Sequence, residues 1–270
     1  MAKLQDLFSQ ARRTQSGGGM GFLSKNKTES KPHAASLVVE FPTVTAGSAE
    51  AALKAGADGL LFAWNGKDTA QLESIKQEIT SARALQEELV AGLRLTGGWG
   101  TLTREDLLQI KEQGIQYIVL PLNAPAHLLA LESKELEKVV TVPLQATGQD
   151  NLSRFFIPLA IRSLDALNGI GALLVDFGFK SSPGALTIED VAYYRGLREA
   201  ARYPVFVPVE GELNEADAHT LKILGIQAAL LTASASVETT TQQIKNVREL
   251  LEKLSQEEKE KDTPPPSIRR

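Results

Sequence analysis

A chain of 270 residues is long enough for one domain with a large core and short for two. A formal net charge of −4 gives no general attraction to nucleic acid or to an anionic membrane. The lack of cysteine removes disulfides, thiolate nucleophiles, zinc–thiolate sites and iron–sulfur clusters together. The first twenty residues lack a signal-like apolar core, and no run reaches the ~18 apolar residues of a membrane span, which fits a soluble, cytoplasmic protein.

The chain opens on a short amphipathic helix with Leu4, Leu7, Phe8 and Ala11 on one face, followed by the glycine-rich run Gly17–Gly21 and a polar stretch. Residues 1–34 are therefore expected to be a helix and linker outside the barrel. The face of Leu4, Leu7 and Phe8 must be buried, either across the bottom of its own barrel or on a partner, a second copy included. Eight short apolar runs follow, at 35–41, 59–64, 89–95, 117–122, 139–145, 172–177, 204–210 and 228–232, each the length and composition of a buried parallel strand. Gly56, Gly114, Gly169 and Gly225 each end a helical stretch and lead into one of these runs; subtraction gives spacings of 58, 55 and 56 residues. A glycine just past a helix end tolerates the left-handed conformation that closes it. Four near-equal quarters of two strand–helix units each are the pattern of a closed eightfold barrel.

Within this frame Leu72, Ile75, Ile79, Ala82 and Leu85 recur at the spacing of a helix lying on a sheet. Thr103, Thr187 and Asn214 stand at N-cap positions, each with Asp three residues on. Pro158 interrupts a fifth helix in the stretch 146–171, which predicts a kink or a late start. The last helix turns Ile244, Val247, Leu251 and Leu254 to the barrel until Thr263-Pro264-Pro265-Pro266 stops it, and residues 262–270 are predicted as a disordered tail. The expected fold is α/β, a single-domain (β/α)8 barrel over residues 35–261.

Activity in such a barrel is built from the strand C-termini and the loops after them. Glu40, Arg94, Gln145, Asp176, Glu210 and Thr232 each finish a predicted strand. Side chains alternate along a strand, so if Val39, Leu93, Leu144, Val175, Val209 and Leu231 face the helices, all six polar groups face the mouth. Glu40, Asp176 and Glu210 are the candidate catalytic acids or bases; Arg94, Gln145 and Thr232 are candidate ligand-binding groups, with Trp64, Asn65 and Trp99 lining the pocket from the ends of strands two and three. One arginine among three carboxylates leaves surplus negative charge, to be met by a divalent cation, a protonated carboxyl or water. An internal ion-pair network, with Arg94 neutralising Glu40 or Asp176 and no turnover, is the plainer alternative. His33, His127 and His219 lie away from the strand ends, and no lysine finishes a strand, which disfavours Schiff-base chemistry.

The stretch PVEGELNEADAHTLKILGIQAALLTASAS, residues 208–236, resembles strands seven and eight of the phosphate-binding TIM barrels. That resemblance implies a phosphate held by glycines after strand seven and a Gly-Ser or Gly-Thr after strand eight; Gly211 and Ser234 occupy those places. VTAGSAEAALKAGADGLLF, residues 44–62, resembles a segment of flavin-dependent members such as the nitronate monooxygenases. The departures are that Glu212 stands where a second glycine is expected, beside Glu210, that Ala233 replaces another, and that no histidine matches the catalytic base. Two carboxylates and two missing glycines oppose a phosphate dianion.

The sequence therefore points to a barrel that binds a small polar or anionic metabolite at its C-terminal face, with acid–base catalysis by strand-end carboxylates. A degenerate, non-catalytic barrel acting as scaffold or partner-binding module is the alternative. An FMN-dependent oxidoreductase is the third reading. FMN and a divalent cation are the cofactors considered, and neither is favoured.

Overall fold

The computed structural model describes residues 4–12, 35–129, 136–144, 161–164, 166–167, 169–178 and 183–262. Eight parallel strands close into one barrel in sequential order: β1 (Ser36–Phe41), β2 (Gly59–Trp64), β3 (Val90–Leu95), β4 (Tyr117–Pro121), β5 (Glu137–Pro143), β6 (Ile170–Asp176), β7 (Val205–Val209) and β8 (Ala228–Thr232). Closure comes from β1 pairing with β8, where Glu40 stands opposite Thr232. All eight predicted runs are strands. β5 and β6 start two residues earlier than their apolar runs, and in β5 the added residues, Glu137 and Lys138, are charged. They are in the strand because Lys138 donates its backbone N–H to Gly169 O at 2.9 Å and the Glu137 carboxylate accepts the Leu4 N–H at 3.0 Å.

The helices are α1 (Leu4–Arg12), α2 (Ser48–Ala55), α3 (Thr69–Leu85), α4 (Arg104–Glu112), α5 (Ile188–Ala200), α6 (Glu215–Leu224) and α7 (Val237–Asp262), and residues 161–164 are also helical. His127 lies in a 3-10 turn, Ala126–Leu129. Gly17–Gly21, His33, Gln145, Pro158 and the tail after Asp262 lie outside the described residues. The three expected caps form: Thr103 with Asp106, Thr187 with Asp190 and Asn214 with Asp217 each make both reciprocal bonds of a capping box. Among the described residues no helix is long and apolar enough to cross a membrane.

Strand alternation separates two cores. Val39, Leu93, Val175, Val209 and Leu231 pack outward against Ile75, Ile79, Leu107, Leu221, Ile244 and Val247. Val38, Leu61, Tyr117, Val119, Leu174, Phe206 and Leu230 fill the barrel, together with Leu4, Leu7 and Phe8 of α1. Helix α1 thus closes the N-terminal end of its own barrel, and the apolar face considered above as a partner surface is covered within the chain. Phe8 lies 4.9 Å from Phe206, ring to ring, and Ser36 Oγ donates to Leu7 O. Gly59 and Gly171 admit this plug: a Cβ on either would sit 3.2 or 3.3 Å from Leu7 Cδ1 or Leu4 Cδ2. Burying three such side chains contributes on the order of 5 kcal/mol before the cost of ordering the helix.

The last helix is fastened to the first strands by Arg248, which donates to Gly56 O, to Ala35 O at 3.3 Å and to Asp58 Oδ2 at 2.6 Å. A second long-range carboxylate, Glu78 of α3, accepts from Gly47 N at 2.8 Å and Ala49 N at 3.0 Å. It satisfies the exposed donors at the start of α2, where Gly47 has no side chain to do so.

Candidate functional site

The open, C-terminal end of the barrel presents Glu40 and Arg94 from β1 and β3. Arg94 Nε stands 2.7 Å from Glu40 Oε1, and the two side chains are 29 % and 9 % exposed. The approach is close, but Arg94 Nε lacks hydrogen-bond geometry, so the attraction is one of charge rather than a well-directed bond. Burial pushes the Glu40 carboxyl above its usual pKa; the Arg94 charge and a hydrogen bond from Thr232 pull it back without overcoming desolvation. Below this pair Tyr117 donates to Leu60 O at 3.3 Å. Burial, with the Glu40 charge adding to it, pushes the phenol well above its usual range, so Tyr117 stays neutral. Its ring occupies the space over Gly92, where a Cβ would fall 2.2 Å from the ring.

On the β7–β8 side, Pro208, Glu210, Gly211, Glu212, Thr232 and Gln243 line an open cleft of about 480 Å³. Thr232 joins this cleft to Glu40. The structure therefore brings Glu40, Arg94 and Thr232 into contact and places Glu210 with Thr232 on one cleft wall. Asp176, at the exposed end of β6, accepts the Gly178 N–H at 2.7 Å and shapes its own turn. Gln145 falls outside the described residues.

Trp64 and Asn65 do not line the mouth. Ala63 is the inward residue at the end of β2, so alternation turns Trp64 to the helix side, where it is buried in the outer core and its ring N–H donates to Asp68 O at 2.7 Å. Asn65 Oδ1 accepts from Lys67 N and Asp68 N, both at 2.9 Å, and builds the turn into α3. Trp99 sits half-buried in a 3-10 turn, Trp99–Thr101, against the same outer core.

Gln243, one and a half turns into α7, was not legible as a site residue. Its carboxamide lies where a Cβ on Gly211 would fall, 2.2 Å from Gln243 Cδ, and its Oε1 accepts from Ser234 Oγ at 2.8 Å. Gly211 and Ser234 are the residues on which the likeness to phosphate-binding barrels rested. Both are engaged by a side chain of the protein, with Glu210 and Glu212 exposed beside them, so the residues present do not fit the phosphate of FMN. Among the described residues no group of three or more His, Cys, Asp or Glu side chains is placed to hold a metal ion.

No family model matches this sequence, and no curated protein does. Solved structures do. Tryptophan synthase from M. tuberculosis in its aminoacrylate-bound form superposes with a TM-score of 0.58 at 13 % identity, over 94 % of this chain and 98 % of that one. This chain is a TIM barrel. The native KDPGal structure matches at TM-score 0.55 and 19 % identity over 86 % of this chain and all, 100 %, of its own. The tryptophan synthase alpha-subunit of Pyrococcus furiosus matches at 0.54 and 14 %, over 81 % and 97 %. At such identities the likeness is one of fold, and function must be argued from the site.

Proposed function

We propose that this TIM barrel binds a small organic anion at its C-terminal mouth, with Arg94 as the charge partner and Glu40 as the acid–base group. The observation that carries the reading is the Glu40–Arg94 pair at the open end of the barrel, a buried carboxyl beside a partly exposed guanidinium, with the carboxyl pushed above its usual pKa by burial. A buried ion pair is a poor device for stability, because desolvation offsets most of the attraction. A perturbed carboxyl with a specific charge partner beside a cleft is instead a mark of a working site. An anion that reaches Arg94 must displace Glu40 or meet it protonated, since two anions against one cation are unfavourable in a poorly solvated place. Binding therefore takes up a proton and leaves Glu40 as a neutral acid beside the ligand, able to donate to a leaving group or an enolate oxygen. Thr232 holds that carboxyl in place, and Glu210 is a second base on the cleft wall.

A thermal-shift screen of small carboxylates and phosphorylated compounds tests this directly. A true ligand at one hundred times its Kd stabilises the fold by about 2.7 kcal/mol, and calorimetry in buffers of different ionisation enthalpy should register proton uptake. Stabilisation that persists undiminished in Arg94→Leu would reject the assignment.

A second reading, a barrel without catalysis, is supported by Gln243, which engages the very groups a phosphate would use. Under that reading no member of the screen binds, and any partner docks on a face other than that of α1.

A further inference from the structure

The loop after β7 carries Glu210 and Glu212 into the open cleft of about 480 Å³ beside β8. That volume lies within the roughly 300–1,000 Å³ that holds a small molecule, far more than one carboxylate needs. Both glutamates are exposed, and neither is paired with another described residue. Among the described residues no lysine, arginine or histidine lines the cleft.

The hydrogen-bond donors of this wall are already used within the protein. Ser234 donates its backbone N–H to Thr240 Oγ1 at 3.0 Å and its hydroxyl to Gln243 Oε1 at 2.8 Å, while the Gln243 carboxamide covers Gly211. The two carboxylates that remain are acceptors with negative charge, which repel a phosphate or a second carboxylate and attract an ammonium. The opposite charge lies beyond Thr232. Thr232 lines the cleft, stands in register with Glu40 and hydrogen-bonds its carboxyl, and Glu40 in turn meets Arg94. The mouth therefore runs from a guanidinium on β3 to two carboxylates after β7, with Glu40 and Thr232 between them.

We propose that the ligand of this mouth is an amino-carboxylate whose carboxylate pairs with Arg94 and whose ammonium, several carbons away, pairs with Glu210 and Glu212. This assignment rests on Arg94 as the charge partner of an anion; what it adds is a cationic end to the ligand, required by the juxtaposition of opposite charges in one mouth. It is tested on the full-length, ¹⁵N-labelled protein, with affinities read from amide shifts on titration with δ-aminovalerate and with valerate. δ-Aminovalerate should bind at least about fivefold more tightly, a modest margin because ion pairs at an open site are partly screened, and the margin should shrink with added salt. Glu210→Gln/Glu212→Gln, two exposed substitutions that should leave the fold intact, should remove the margin without weakening valerate. Glycine should show no such margin over acetate, since its charges lie too close together to reach past Glu40 and Thr232. Valerate bound as tightly as δ-aminovalerate, a margin that survives Glu210→Gln/Glu212→Gln, or an equal margin for glycine over acetate would overturn the amino-carboxylate. Those results leave Arg94 in its role as long as valerate binding is lost in Arg94→Leu. Binding of neither acid, or binding of both undiminished in Arg94→Leu, would overturn the role of Arg94 and the bridging ligand with it.

Discussion

Replacing Arg94 with Leu separates the attraction in the Glu40–Arg94 pair from the cost of burying it. Loss of one partner of a fully buried pair costs about 3–5 kcal/mol; with Arg94 29 % exposed and partly solvated, about 2 kcal/mol is expected after discounting for solvent screening. For a barrel of this size that lowers Tm by roughly 4–8 °C. The pH dependence carries the sharper information. Because the folded pKa of Glu40 lies above its usual 4.5, protonation favours the folded state: the stabilisation is full below the unfolded pKa and is lost as pH rises through the folded one. Without Arg94 the folded pKa rises further, so the variant is penalised most above neutrality and recovers as pH falls. Urea unfolding of the parent, Arg94→Leu, Glu40→Gln and the double variant at pH 5 and pH 7.5 closes the cycle. The deficit of Arg94→Leu should shrink on acidification, and the double variant should lie within about 0.5 kcal/mol of Glu40→Gln, the margin within which uncoupled sites add. An Arg94→Leu protein as stable as the parent at pH 7.5, with no pH-dependent difference, would refute both the pairing and the electrostatic account of the mouth.

Phe8→Ala should cost about 3 kcal/mol by opening a void against Phe206; an unchanged denaturation midpoint would show that α1 is not part of the folded core. Arg248→Ala leaves Asp58 and two backbone carbonyls without their cation and should lower stability by at least about 3 kcal/mol in the same assay. Gln243→Ala frees Gly211 and Ser234, so inorganic phosphate should stabilise the variant more than the parent in thermal shift, and the gain should fade with added salt. A parent protein that is already stabilised by phosphate, or that purifies yellow with stoichiometric FMN, would contradict the reading of that loop. Deleting residues 263–270 should leave the melting curve unchanged, because a proline-rich charged segment buries little apolar surface.

The barrel was legible because its determinants repeat: short apolar runs alternate with helical stretches and helix-closing glycines recur at near-equal intervals, so each unit supports the reading of the next. The inward direction of Glu40 and Arg94 was legible for a related reason, since strand parity ties each to an apolar neighbour packed under a helix. The same parity places Trp64 outward once Ala63 is recognised as the inward residue. Its bulk and position at a strand end suggested a pocket wall, but parity outweighs bulk. The start of β5 was hidden because its first residues, Glu137 and Lys138, are charged, and what makes Glu137 acceptable there is the N-terminus of α1, 133 residues away in sequence. Glu78 at the start of α2 and Gln243 against Gly211 are hidden in the same way. Each is a polar residue on a helix, which in sequence looks like any solvated position. Gln243 becomes part of the mouth only because β7 pairs with β8 and brings Gly211 beside Ser234 under α7. Local pattern therefore identifies groups whose orientation is set by their immediate neighbours on a strand, whereas the groups that decide which anions the mouth can admit become visible only when the barrel is closed.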